Sequence, residues 1–142
     1  MNYIINKNTN FLFFDGNNTL INEVNNQLCF KTNVINDILN NSCIYYGSTL
    51  KGRIISCKKL INSYYKIPVI ISEKNNLLFF YINDNNLIYW FNFLNIKDYY
   101  KKDKKLIVEF INDFKLVLNV SYSVFHNQIL KCSRLLIVYS SR

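Results

Sequence analysis

Leu77-Leu78-Phe79-Phe80-Tyr81-Ile82-Asn83-Asp84-Asn85-Asn86-Leu87-Ile88-Tyr89-Trp90 is the stretch whose reading decides the fold class. Two runs rich in aromatic and branched apolar residues flank a block of turn formers, the pattern of strands that return on themselves. The same pattern continues on either side. Strands are predicted over residues 67–72, 77–82, 87–94, 106–111 and 115–120, with polar breaks at Lys74-Asn75-Asn76, at 83–86 and at Asn112-Asp113. This is an antiparallel meander. Shorter β-rich runs open the chain at 3–5, 11–14, 19–24 and 27–31, with a turn at Asp15-Gly16-Asn17, and read as hairpins.

Three stretches switch to helical spacing. Ile35, Leu39, Cys43 and Tyr46 follow a cap at Thr32 or Asn33 and precede Gly47, where a terminating glycine is favoured. Ser48 can cap a second helix that turns Leu50, Ile54, Cys57 and Ile61 inward and Lys51, Lys58, Lys59 and Asn62 outward. From Ser121 or Ser123 onward, Phe125, Ile129, Cys132, Leu136 and Tyr139 form a seam, with Ser123, Asn127, Lys131 and Arg134 opposite. The expectation is an α+β fold, mainly antiparallel β-sheet, with two helices near 33–62 and a C-terminal helix, in a single domain spanning 1–142. No linker or repeat divides it.

Half of the residues are hydrophobic, which excludes a disordered tail. No apolar run approaches the roughly 20 residues of a membrane span, and the first residues lack the apolar region of a signal peptide, so a protein that stays in the cytoplasm is expected. Asn, Lys, Ile and Tyr abound while Ala is absent, as an AT-rich genome would produce, and the asparagines carry little functional weight for that reason. Charge carries more. The net charge is +8, and residues before Gly47 hold only Lys7 and Lys31 against Asp15, Glu23 and Asp37, so the excess lies in the remainder and implies a basic face for a polyanion.

Enzymatic chemistry finds no foothold. His126 has no neighbouring carboxylate in sequence, Gly47 and Gly52 form no phosphate-cradling pattern, and the nine carboxylates are scattered. Cys29, Cys43, Cys57 and Cys132 lack zinc-ligand spacing and read as reduced, mostly buried small hydrophobes. Neither catalytic residues, metal nor cofactor is expected.

Three basic clusters remain as candidate DNA contacts. Lys101, Lys102, Lys104 and Lys105 follow Tyr99-Tyr100 in an expected loop, able to neutralise phosphates or merely to keep a hairpin tip soluble. Lys51, Arg53, Lys58 and Lys59 lie beside the Gly47-Ser48 turn, whose backbone N–H groups are candidates to receive a phosphate. Asn127, Lys131 and Arg134 form the third stripe. Spacing does not rank the three. Arginine is rare here, at three positions, so Arg53 and Arg134 stand out as groove or phosphate probes, or as halves of a structural ion pair.

The segment Ser42-Cys43-Ile44-Tyr45-Tyr46-Gly47-Ser48-Thr49-Leu50-Lys51-Gly52-Arg53 resembles the ComK family of competence transcription factors. Lys66-Ile67-Pro68-Val69-Ile70, Trp90, Ile96-Lys97-Asp98-Tyr99, Ser121-Tyr122-Ser123-Val124-Phe125-His126-Asn127-Gln128 with Arg134-Leu135, and Tyr3-Ile4-Ile5-Asn6-Lys7-Asn8-Thr9 match in the same order, across nearly the whole chain. The resemblance implies a homo-oligomeric activator of DNA-uptake genes that binds AT-rich double-stranded DNA from the minor groove. Within the stretches that match the family, the chemistry of the side chains makes Lys51, Arg53, Asn127 and Arg134 the expected DNA contacts. Family members often continue into a tail through which an adaptor and a Clp-type protease control their level; the sequence here stops at Arg142, which leaves that partner an open expectation. The C-terminal helix is also thinner in arginine, with Lys131 and Cys132 at its middle. The competing expectation is a family descendant that no longer binds DNA and regulates through protein–protein contact.

Overall fold

The computed structural model describes residues 3–141. The chain runs β1 (Thr9–Phe14), β2 (Thr19–Glu23), β3 (Gln27–Phe30), α1 (Ile35–Tyr45), α2 (Leu50–Ile61), β4 (Val69–Ser72), β5 (Leu77–Asp84) and β6 (Leu87–Asn92). A 3₁₀ turn at Phe93–Asn95 leads into β7 (Ile96–Lys102), β8 (Lys105–Phe110), β9 (Lys115–Leu118) and α3 (Tyr122–Ser140). The first six strands form one antiparallel sheet in the order β3-β2-β1-β6-β5-β4, and the last three a smaller sheet, β7-β8-β9. The fold is α+β, as the sequence predicts.

The quoted stretch becomes the β5–β6 hairpin. Asn85 and Asn86 take φ of 50° and 70° between the paired residues Asp84 and Leu87, a two-residue turn with both central residues left-handed, which asparagine tolerates better than most. Its run of apolar residues has a structural reason: both faces of the large sheet pack against other elements. Phe80, Ile82 and Phe91 point to one side, against Val108 and Phe110 of the small sheet and Phe125 and Cys132 of α3. Phe79, Leu12 and Ile21 point to the other, against Ile35, Ile38, Leu39 and Cys43 of α1. Burying each such aromatic or branched side chain contributes about 1.5–3 kcal/mol.

The helix ends follow from local chemistry. At the end of α1, Gly47 at φ 96° lets its N–H reach the Ile44 carbonyl at 3.0 Å and the Ser48 N–H reach that of Cys43 at 2.9 Å, a paired C-terminal closure. α2 is capped by Thr49 rather than Ser48: the Thr49 hydroxyl accepts from the Gly52 N–H at 3.0 Å, and a Cβ on Gly52 would stand 3.1 Å from that oxygen. Val34 sits at the start of α1, where Thr32 or Asn33 was expected; its N–H donates to the Thr19 hydroxyl at 3.0 Å, which leaves Asn33 to accept from Ile35 at 3.3 Å. α3 starts at Ser121, whose hydroxyl accepts from Val124.

Two segments depart from the sequence reading. Residues 3–5, expected to be a strand, pair with no strand; the Ile5 N–H donates to the Ser42 hydroxyl at 2.9 Å and its carbonyl accepts from Tyr46 Oη at 2.8 Å, so α1 side chains satisfy this backbone. The lysine-rich segment expected to be a loop is instead β7 and its tight turn onto β8, with Asp103 and Lys104 at φ 51° and 65°. β7 is an edge strand, where exposed lysines discourage pairing with other chains.

The two sheets are clamped by asparagines. A register shift between Thr9 and Phe11 marks an irregularity at Asn10, whose buried amide donates to Asn22 Oδ1 at 2.9 Å and to Asn112 Oδ1 at 3.2 Å. Asn95 Nδ2 faces the Lys7 carbonyl at 2.9 Å and Asn10 Oδ1 at 3.1 Å, and Asn92 Nδ2 donates to the Thr9 carbonyl at 2.9 Å. These buried groups would otherwise lose water without replacement. Asn95→Ala is expected to lower unfolding stability by about 2–3 kcal/mol in urea titration, while Asn17→Ala at an exposed turn changes it by less than about 0.5 kcal/mol.

Three of the four cysteines are buried, and Cys29 on edge strand β3 is exposed. Burial pushes the Cys43 thiol up to about 11 and raises that of Cys132 as well. A disulfide-exchange reagent at pH 8 is therefore expected to label Cys29 rapidly, with the other thiols reacting only on unfolding, read as one fast equivalent followed by a slow phase.

Candidate nucleic-acid interface

The structure gives the three predicted clusters different surroundings. Along α2, Lys51 and Lys59 are exposed and Lys58 is half-buried. Arg53 turns the other way. Its guanidinium meets Glu73, in the β4–β5 connection, at 3.0 Å, the side chain is only 14% exposed, and Nε is buried without a partner. That geometry makes Arg53 half of a structural ion pair that ties α2 to the edge of the large sheet.

The Gly47-Ser48 turn is no phosphate cradle. Its two N–H groups close α1, the Leu50 N–H donates to Asn40 Oδ1 at 3.1 Å, and those of Gly52 and Arg53 go to Thr49. The N–H groups of Gly47 and Ser48 are thus engaged within the fold, and the turn does not offer the free pair of donors that the sequence suggested.

The hairpin lysines gather at the start of α3. Lys101, Lys102, Lys104 and Lys105 are all exposed. Lys101, Lys104 and Lys105 line a depression of about 230 Å³ with Asn119, Ser121 and Tyr122, and Lys105 Nζ donates to Asn119 Oδ1. Chain topology thus brings a cluster from residues 101–105 against the end of a helix that begins some twenty residues later.

α3 carries the third stripe past a second group of cations. Asn127 and Arg134 are exposed, and Arg134 has no ion pair among the described residues; the third arginine, Arg142, lies outside them. Lys131 is half-buried, and its Nζ donates to the Tyr65 carbonyl at 2.7 Å. Burial, then the nearby charge of Lys66, lowers its pKa below the ordinary lysine value. It closes the 62–68 connection more than it faces solvent.

Sequence reasoning missed the importance of that connection. Lys66 takes φ 47° and holds Nζ over the rings of Tyr65 and Tyr81, at 5.3 and 5.8 Å from their centres. Tyr64-Tyr65-Lys66 was a visible signal, but only the fold reveals that Tyr81 and Trp90 stand beside it. His126, alone of its type, sits among rings: Tyr99 Oη lies 2.7 Å from its Nδ1, and Tyr122 stacks on it. Among the described residues, no group of three or more His, Cys, Asp and Glu side chains could hold a metal ion, and no helix is long and apolar enough to cross a membrane.

The family model described as ComK protein matches residues 1–142, the whole chain. The chain belongs to the ComK family. Neither the curated proteins nor the solved structures searched gave a match. ComK membership points to a competence transcription factor, and the family is one of transcription factors, not enzymes.

The ion pair of this ComK chain has a measurable consequence. Arg53→Ala and Glu73→Gln are each expected to lower stability by about 1 kcal/mol, and the double variant by less than the sum, as a urea double-mutant cycle would read. Independent, additive losses would remove the structural role assigned to Arg53.

Proposed function

We propose that this chain regulates competence genes by binding AT-rich duplex DNA, as a homo-oligomer, from the minor groove. The observation that carries the reading is the family match over the whole chain. Surface chemistry supports it. Exposed Lys101, Lys102, Lys104 and Lys105 supply phosphate neutralisation beside the start of α3, while Asn127 and Arg134 lie further along the same helix. With Arg53 engaged by Glu73, Arg134 is, among the described residues, the guanidinium available for a narrow groove, whose negative potential deepens over A-tracts. Lys51 and Lys59 on α2 are secondary candidates, and Lys58 and Lys131 act closer to the protein core.

One observation favours a second reading. Leu130 and Ile137, which share the Arg134 face of α3, are 52% and 68% exposed. A phosphate backbone does not use such side chains; a second copy or a regulatory protein would.

Fluorescence anisotropy on duplexes with spaced A- and T-runs and on GC-rich duplexes, across a salt series, separates the readings. The expected result is preference for the AT-run duplex with affinity falling steeply as salt rises. Lys104→Ala should reduce the salt slope by about 1, and Arg134→Ala should cut affinity for the AT-run duplex about tenfold. Absent or equal binding to both duplexes would leave the protein–protein reading standing.

A further inference from the structure

The face of the large sheet opposite α3 is not fully covered by α1 and α2. Where it is open, Trp90 and Tyr81 stand edge to face, with ring centres 5.6 Å apart. Two hollows meet at this ring pair: one of about 330 Å³ toward α2 and the 62–68 connection, and one of about 260 Å³ toward the start of α1. The larger falls within the range of roughly 300–1,000 Å³ typical of small-molecule sites.

The two hollows differ in chemistry. The first is walled by Lys58, Lys66 and Tyr64, and Tyr64 is 73% exposed, a ring held out in solvent. The second is walled by Asn33 and Asn36, whose side-chain amides offer donors and acceptors together. No carboxylate lines either hollow. The groove thus presents an aromatic floor, two ammonium groups at one end and two amides at the other.

We infer that this groove binds a nucleobase bearing a phosphate, with the base against the Trp90 ring beside Tyr81 and the phosphate toward Lys58 and Lys66. An aromatic face accepts any base by stacking, and a nearby ammonium group holds the phosphate without demanding one geometry. Asn33 and Asn36 face the edge of the base. The ligand's chemistry has two sources, a free nucleotide or an exposed base in a single strand. The Trp90–Tyr81 pair lies on the opposite face of the sheet from the lysine hairpin and α3, so the base contact is separate from Lys104 and Arg134, while the Lys66 end of the groove borders Lys131 of α3.

Trp90 is the only tryptophan, so its fluorescence reports directly on the floor. The full chain would be titrated with AMP, adenosine, inorganic phosphate and an eight-residue oligothymidylate. Saturable quenching by AMP or the oligonucleotide, far weaker with adenosine or phosphate alone, is expected; AMP binding assigns the free nucleotide, and a response to the oligonucleotide only assigns the single strand. Lys58→Met, at a half-buried position whose alkyl stem methionine retains, and Tyr81→Leu should each weaken binding about tenfold, with circular dichroism unchanged for the lysine variant. Arg134→Ala and Lys104→Ala should leave it unaltered, which keeps failure here distinct from failure of the duplex reading. No saturable quenching with either nucleotide probe, or quenching indifferent to Lys58→Met and Tyr81→Leu, overturns the inference.

Discussion

The irregularity at Asn10 in β1 is the constraint on which the rest of the structure leans. Where the register of β1 shifts, the carbonyl of Thr9 lies among buried groups and requires a donor, and that of Lys7 stands just before it. Asn92 and Asn95 donate to these carbonyls from the end of β6 and the turn that leaves it, and Asn112 joins from the β8–β9 connection. The Asn112 amide also donates to the Val24 carbonyl at 2.9 Å, after β2. Side chains from four separate parts of the chain thus fix the small sheet over one end of the large one. The position of the small sheet in turn sets where the lysine hairpin meets α3.

Most of the β architecture was legible because periodicity and turn chemistry are local. The β5–β6 hairpin shows this best: the runs and the Asn-Asn turn can be read without knowing what covers either face. The α3 seam was legible for the same reason, with Phe125 and Cys132 buried as spaced. β7 was not, because lysines on an exposed edge strand have the composition of a loop. The asparagines were misjudged in the opposite sense. Their abundance reads as codon bias, and nothing local marks Asn10, Asn92 and Asn95 as buried; only the pairing of β1 with β6 brings them together.

The candidate site was legible as charge but not as partnership. All three basic clusters were visible, yet what each cation can do depends on atoms distant in sequence. Glu73 lies twenty residues from Arg53, and the Tyr65 carbonyl sixty-six from Lys131. Neither pairing follows from spacing. Both divert a cation from solvent, and the closure of α1 and α2 similarly consumes the N–H groups of the turn between them.

This diversion decides which residues can discriminate. Lysines on an exposed hairpin attract any polyanion, with a strength that salt screens over roughly 8–10 Å, and so in the proposed reading they would give affinity and encounter rate without sequence preference. Preference for A-tracts needs a group that enters a narrow groove and gains from its deeper potential, a role for which a planar, weakly hydrated guanidinium is suited and an ammonium less so. Of the arginines in the described residues, Arg53 is held by Glu73 with little of its side chain exposed, whereas Arg134 is open on α3. In the proposed duplex reading the burden of selectivity therefore falls on the C-terminal helix, and the fold positions that helix through the small sheet, whose seat the buried asparagines define.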